Sequence, residues 1–84
     1  MFTGIVEAMG QLLEKKKSGT NVDFWFSSPF TNELKIDQSL AHNGVCLTVV
    51  EIEADKYRVT AIDETLQKTN LNDLQIGNKV NLER

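Results

Sequence analysis

The sequence predicts an all-β protein, a small closed or nearly closed antiparallel barrel, and three observations carry that reading. Apolar and polar residues alternate with a period of two in several short runs, the spacing of half-buried strands. Gly, Asn, Ser and Pro clusters punctuate those runs at turn positions. A chain of 84 residues leaves room for one core and none for a doubly wound sheet with its helices.

In chain order, residues 4–13 are rich in Ile, Val and Leu and read as the first strand. Lys17-Ser18-Gly19-Thr20-Asn21 is a turn cluster leading to the second strand. There Val22, Phe24 and Phe26 alternate with Asp23, Trp25 and Ser27, giving one strongly apolar face. Ser28-Pro29 places a serine N-cap before a proline at the first helical position, so a helical turn is expected over residues 30–34. Asn43-Gly44 tolerates positive φ and marks either a tight hairpin or a bulge. Leu47 and Val49 then alternate with Cys46, Thr48 and Val50, with both faces expected to be at least half buried. Tyr57, Val59 and Ala61 alternate with Arg58, Thr60 and Ile62. Asp63 is expected to cap a short helix over residues 64–68. Ile76-Gly77-Asn78 turns into the last strand, where Val80 and Leu82 alternate with Asn81 and Glu83. No internal repeat and no low-complexity stretch is visible. Barrel closure would remove the exposed strand edges, and the barrel mouth is the natural place for a ligand.

Composition narrows the function classes. The net charge is -3, and the one basic run, Lys15, Lys16 and Lys17, follows Glu14 and lies apart from the aromatic residues. That pattern reads as a solvated turn and argues against a nucleic-acid-binding face. Cys46 is the single cysteine and His42 the single histidine, which excludes an internal disulfide and leaves no zinc ligand cluster. No run approaches the ~18 apolar residues of a membrane span. Met1-Phe2-Thr3-Gly4 lacks the basic and apolar regions of a signal peptide, so a cytoplasmic protein is expected.

Taken one at a time, the polar residues say little. His42 reads as a structural or surface histidine, and Cys46, on a strand expected to be buried, as an inert small hydrophobe. Thr48, Thr60 and Thr65 are ordinary strand and turn residues. Strand geometry would send the adjacent Asp63 and Glu64 to opposite faces, which argues against a catalytic carboxylate pair. No phosphate-cradling glycine loop is present.

Three stretches carry a resemblance to a known family, in its order and spacing. The chain opens with Met1-Phe2-Thr3-Gly4-Ile5-Val6. Its middle reads Ser39-Leu40-Ala41-His42-Asn43-Gly44-Val45-Cys46-Leu47-Thr48-Val49. Its end reads Glu64-Thr65-Leu66, then Thr69-Asn70-Leu71, Gly77 and Val80-Asn81-Leu82-Glu83-Arg84. These resemble the N-terminal, lumazine-binding barrel of riboflavin synthase over essentially the whole chain. The resemblance implies a six-stranded antiparallel Greek-key barrel with one or two short helical turns, occupying residues 1–84 as one domain, with the second barrel of the family enzyme absent.

The family enzyme moves a four-carbon unit between two molecules of 6,7-dimethyl-8-ribityllumazine. Its products are riboflavin and 5-amino-6-ribitylamino-pyrimidinedione, and it requires no metal or organic cofactor. By resemblance, Gly4, Ile5, Val6, Cys46, Leu47 and Thr48 line the pteridine. Thr60, Ala61, Ile62, Asp63, Glu64 and Thr65 hold the ring and the ribityl hydroxyls, ionised carboxylates being strong acceptors. Ser39, Cys46 and His42 stand nearest the chemistry, with His42 the weakest candidate because it precedes the Asn43-Gly44 turn. The protein mainly positions two reactants, because the lumazine's own conjugation stabilises the methyl carbanion.

The resemblance further implies partners. In the full enzyme, a trimer, the N-terminal barrel faces the C-terminal barrel of a neighbour. A lone barrel is expected to form a homodimer through the surface thus uncovered. The alternative function is a stand-alone flavin- or lumazine-carrying antenna module without catalysis. The enzyme-like Ala41-His42-Asn43-Gly44 favours the enzyme reading.

Overall fold

Strand alternation becomes a barrel because every apolar face turns inward. The computed structural model describes residues 5–84. Among them are six strands: β1 (Ala8–Ser18), β2 (Asn21–Ser27), β3 (Ser39–His42), β4 (Val45–Glu53), β5 (Lys56–Ala61) and β6 (Lys79–Glu83). All pairings are antiparallel, and the ring closes in the order β1-β2-β5-β4-β3-β6. The strands β3, β4 and β5 form a meander and β6 returns beside β3, which is a Greek key. The expected fold class is therefore the one observed.

Leu12, Phe24, Phe26, Leu40, Val49, Tyr57, Val59, Val80 and Leu82 fill the interior. Each comes from the apolar phase of its strand, as a period of two requires. Two 3-10 turns, Thr31–Glu33 and Leu71–Asp73, pack Phe30, Leu34 and Leu71 against the same core. A short helix, α1 (Asp63–Lys68), lies between β5 and the second of these turns.

Several local expectations are corrected. The lysine run is strand, not turn: β1 continues to Ser18, with Lys15, Lys16 and Lys17 opposite Phe24, Asp23 and Val22. Long-range pairing with β2 overrides the local turn signal and leaves only Gly19-Thr20 between the strands. Lys15 is also structural, because its ammonium donates to the Asn72 carbonyl and, at 3.3 Å, to that of Leu74. Ser28 does not cap a helix; its hydroxyl meets that of Thr31 at 2.7 Å, and the cap position is Phe30. Asp63 is inside α1 rather than its cap, which is Ile62. Asp63 and Glu64 are thus on a helix, not on a strand. Cys46, Thr48 and Val50 are exposed, since among the described residues no second layer covers the outside of β4. Asn43 and Gly44, both at positive φ, form the β3–β4 hairpin rather than a bulge.

The largest correction concerns repetition. Exchanging β1, β2 and β3 with β4, β5 and β6 leaves the ring order unchanged. Residues 31–40 and 71–80 are built alike. Glu33 N donates to Phe30 O at 2.8 Å and Asp73 N to Asn70 O at 3.0 Å. Lys35 N donates to Gln38 Oε1 at 3.0 Å, and Gln75 N to Asn78 Oδ1 at 2.8 Å. Asp37 N donates to Val49 O at 2.8 Å, and Gly77 N to Leu12 O at 2.7 Å. Register shifts follow at matching places, between Leu12 and Glu14 in β1 and between Val49 and Glu51 in β4. The barrel is an internal two-fold repeat. Hydrogen-bonding role is preserved where residue identity has drifted, so self-similarity is faint in the letters.

Candidate functional site

The two halves differ in how far their hairpin ladders run. The β1–β2 ladder continues past Leu12↔Phe26 to Gln11↔Ser27. The equivalent β4–β5 ladder ends at Val49↔Val59, leaving Cys46, Leu47 and Thr48 of β4, and Thr60 and Ala61 of β5, beyond it. Both chains keep their other partners, β4 with β3 and β5 with β2. Val49 exchanges bonds with the β3 side, its N–H donating to Gln38 O at 2.9 Å and its carbonyl accepting from Asp37 N. Because main-chain polar groups alternate in direction along a strand, those of Thr48 and Cys46 face the open side. A break of this kind presents main-chain donors and acceptors in register, which suits the polar edge of a flat heterocycle.

The expected site residues fall around this opening in different ways. Cys46 and Thr48 project from the outer face of β4, and Ser39 is exposed opposite Thr48 at the start of β3. Ile62 is exposed where β5 ends, beside the half-buried Thr60. Leu47 and Ala61 point into the core, so only their backbone can meet a ligand. The Thr60 hydroxyl donates to Asp23 Oδ1 at 2.6 Å, inside a polar network in which Arg58 reaches Asp23 at 3.4 Å and Glu51 at 3.0 Å. Asp63 and Glu64 are exposed on α1 and accept from Gln67 and Lys68 one turn on. Thr65 offers its carbonyl to the Thr69 hydroxyl. Gly4 lies outside the described residues.

Ile5 and Val6 precede β1 and are 67% and 50% exposed. With Ala41, Asn43, Gly44 and Asn70 they wall a cavity of about 440 Å³ at the β3–β6 end of the barrel. Ala41 is the register partner of Cys46, so this cavity, over β3 and β6, and the open side of β4, toward β5, lie on opposite sides of β4. Asn43 and Asn70 were not anticipated as lining residues. Both stand in the stretches that carry the family resemblance, which gave no reason to single them out.

His42 is not at the surface. Its ring is fully buried between Phe26 and Tyr57, with centroids 4.9 and 5.8 Å away. Nδ1 lies 3.0 Å from Leu40 O and Nε2 lies 2.9 Å from the Tyr57 hydroxyl. Burial pushes its pKa down to about 4 and raises that of Tyr57. A neutral imidazole with both nitrogens engaged inside the core holds structure, and does not reach a reactant at the rim. Among the described residues, no group of three or more His, Cys, Asp or Glu side chains is placed to hold a metal ion.

Fold and site together define a six-stranded Greek-key barrel, duplicated internally, whose candidate site is a break in one ladder at the rim. Residues 3–84 match the Lumazine binding domain, and the chain belongs to that family. It is 41% identical to riboflavin synthase of Bacillus amyloliquefaciens over 85 aligned residues, spanning 100% of this chain and 40% of that protein. Riboflavin synthase of Escherichia coli (strain K12) is 41% identical over 87 residues, with the same shares. The chain therefore spans about 40% of the length of these curated relatives. Among solved structures, LumP complexed with 6,7-dimethyl-8-(1'-D-ribityl) lumazine superposes with a TM-score of 0.91 at 32% identity, covering 99% of this chain and 47% of that one. LumP complexed with riboflavin matches with the same score and identity, covering 99% and 46%.

Proposed function

We propose that this chain is the N-terminal lumazine-binding barrel of a riboflavin synthase, and that it binds 6,7-dimethyl-8-ribityllumazine and riboflavin at the open β4–β5 rim. The observation that carries the reading is the ladder break at residues 46–48 and 60–61, inside a family known for that ligand class. The pteridine's polar edge meets the free main-chain groups of Cys46 and Thr48. Ile5, Val6 and Ile62 cover its apolar methyl-bearing edge, and residues 60–65 receive the ribityl chain. In the complete enzyme a four-carbon unit passes between two lumazines, one on this barrel and one on a neighbour's C-terminal barrel in a trimer, without metal or organic cofactor. Ser39 and Cys46 contact the reacting ring, whereas His42 supports the core. The single barrel binds one reactant and does not complete the transfer. Paired as a homodimer, it carries one ligand per chain in the cytoplasm.

A second reading, a carrier module without catalysis, is favoured by the close superposition on LumP, whose complexes hold ribityl lumazine and riboflavin.

Titrating the purified chain into riboflavin while following flavin fluorescence tests the binding. Saturable quenching at one ligand per chain is expected, with Ser39→Ala and Cys46→Ser weakening affinity while leaving the unfolding midpoint nearly unchanged. No quenching by micromolar protein overturns the binding reading. Turnover of the lumazine at the rate of a two-barrel enzyme would refute the claim that one barrel is incomplete.

A further inference from the structure

Three distant segments meet at one guanidinium. Arg84, one residue past β6, donates from Nη2 to Glu7 Oε2 at 3.1 Å and from Nε to the same oxygen at 3.2 Å. Its backbone N–H also donates to Glu7 Oε1 at 2.5 Å. Nη1 reaches Glu33 Oε1, on the first 3-10 turn, at 3.4 Å. The guanidinium carbon lies 4.3 Å from the ring centre of Phe30, itself part of the core. Glu7 N donates to Leu82 O at 2.8 Å, so the residue after Val6 is held through main chain and side chain together. The paired guanidinium holds the Glu7 carboxyl below the usual carboxylate range.

Ile5 and Val6 stand beyond the β1–β6 ladder, which begins at Ala8↔Leu82, yet they form one wall of the 440 Å³ cavity. The cavity is lined also by Asn43, Gly44 and Asn70 and by Leu82, whose carbonyl accepts from Glu7 N. The geometry points to Arg84 and Glu7 as positioning residues that set the Ile5–Val6 wall against the rim and so tune ligand affinity without contacting the ligand. Phe30 gives the clamp a rigid seat, because the cation lies over the face of a buried ring. A guanidinium bonded twice to one carboxylate adds a second directional constraint. The inference rests on the binding reading above, because it supposes that the Ile5–Val6 wall meets the ligand.

The test combines riboflavin titration with amide hydrogen exchange on wild type, Glu7→Gln, Arg84→Met and the double variant. Each single variant is expected to bind riboflavin about threefold or more weakly, and the double variant no more weakly than the worse single, as for residues acting as one unit. Exchange should accelerate at the Glu7 amide, which donates to Leu82 O next to Val6, while the amides of Leu12, Phe24 and Val59 keep their protection. Single variants that bind as tightly as wild type, or penalties that simply add, overturn the proposal. So does accelerated exchange spread evenly over the barrel, which is the mark of general destabilisation. If Arg84→Met does not fold, Glu7→Gln alone decides, since it removes the charge but keeps the shape. Failure of wild type to bind riboflavin would sink the binding reading instead, and the exchange pattern would still decide whether the clamp orders the chain at Glu7.

Discussion

His42 and Tyr57 show how much one buried polar pair can decide. The Leu40 carbonyl can only accept, so Nδ1 carries the proton and Nε2 accepts from the Tyr57 hydroxyl, which fixes a neutral tautomer. With the folded pKa at about 4 and the unfolded value near 6.5, the unfolded chain binds more protons between those limits. The stability contributed by neutral His42 is thus complete above about pH 6.5 and is lost as pH falls toward 4, on the order of 3 kcal/mol in all. Urea unfolding at several pH values should show this slope, and His42→Leu should flatten it. Tyr57→Phe leaves Nε2 buried without a donor and should cost about 1–3 kcal/mol at neutral pH. An unchanged urea midpoint in Tyr57→Phe would contradict the assigned tautomer.

At the scale of elements, the repeat of turns makes a sharper prediction than either turn alone. Asp37 and Gly77 occupy equivalent positions with φ of 73° and 93°. Asp, like Asn, tolerates this region better than most residues with side chains, and branched residues tolerate it least. Nothing lies within 4 Å of a Cβ built on Gly77, so strain rather than collision sets the cost of a substitution. Gly77→Asp, which copies the other half, should lower stability by less than about 1 kcal/mol, and Gly77→Val by about 2 kcal/mol. Thermal unfolding of the two variants side by side checks the order. Equal penalties would mean that the two turns are alike only in hydrogen bonding. The same comparison explains where the candidate site lies. The half with an inserted helix is the half whose ladder stops early, so the rim opens where the repeat is broken.

For the whole molecule, the repeat organises the exposed apolar surface. Leu13 and Val50 sit at the two matching register shifts, and Ile36 and Ile76 at the two matching turns, all exposed. A specific interface takes about 800 Å² from each partner. The chain exposes 5059 Å² in all, so pairing must cover a continuous face and cannot rest on one such residue. Sedimentation velocity over a range of protein concentration should show the mass moving from monomer to dimer. A monomer that persists at high concentration with riboflavin bound would refute the homodimer.

Alternation along Val22–Phe26, Tyr57–Ala61 and Val80–Leu82 was enough to specify strands, inward faces and an all-β barrel, because a period of two is a local property of the chain. The positive φ of Asn43-Gly44 was equally legible, since it is a demand on residue type, but only the β3–β4 pairing decided for a hairpin over a bulge. The motif around residues 39–49 located the rim but did not separate its members. Only the closed barrel decided that His42 faces the core while Cys46 and Thr48 face out, because burial depends on what packs from other strands. The lysine run became strand for the same reason: its partner in β2 is a long-range neighbour that local turn propensity does not register. Tertiary pairing alone also decided the duplication, the early end of the β4–β5 ladder and the meeting of Glu7, Glu33 and Arg84. The duplication and the Glu7, Glu33 and Arg84 cluster relate residues far apart in the chain, which no window of sequence contains together, and the β4–β5 hairpin, though local, carries no letter that marks where its pairing stops.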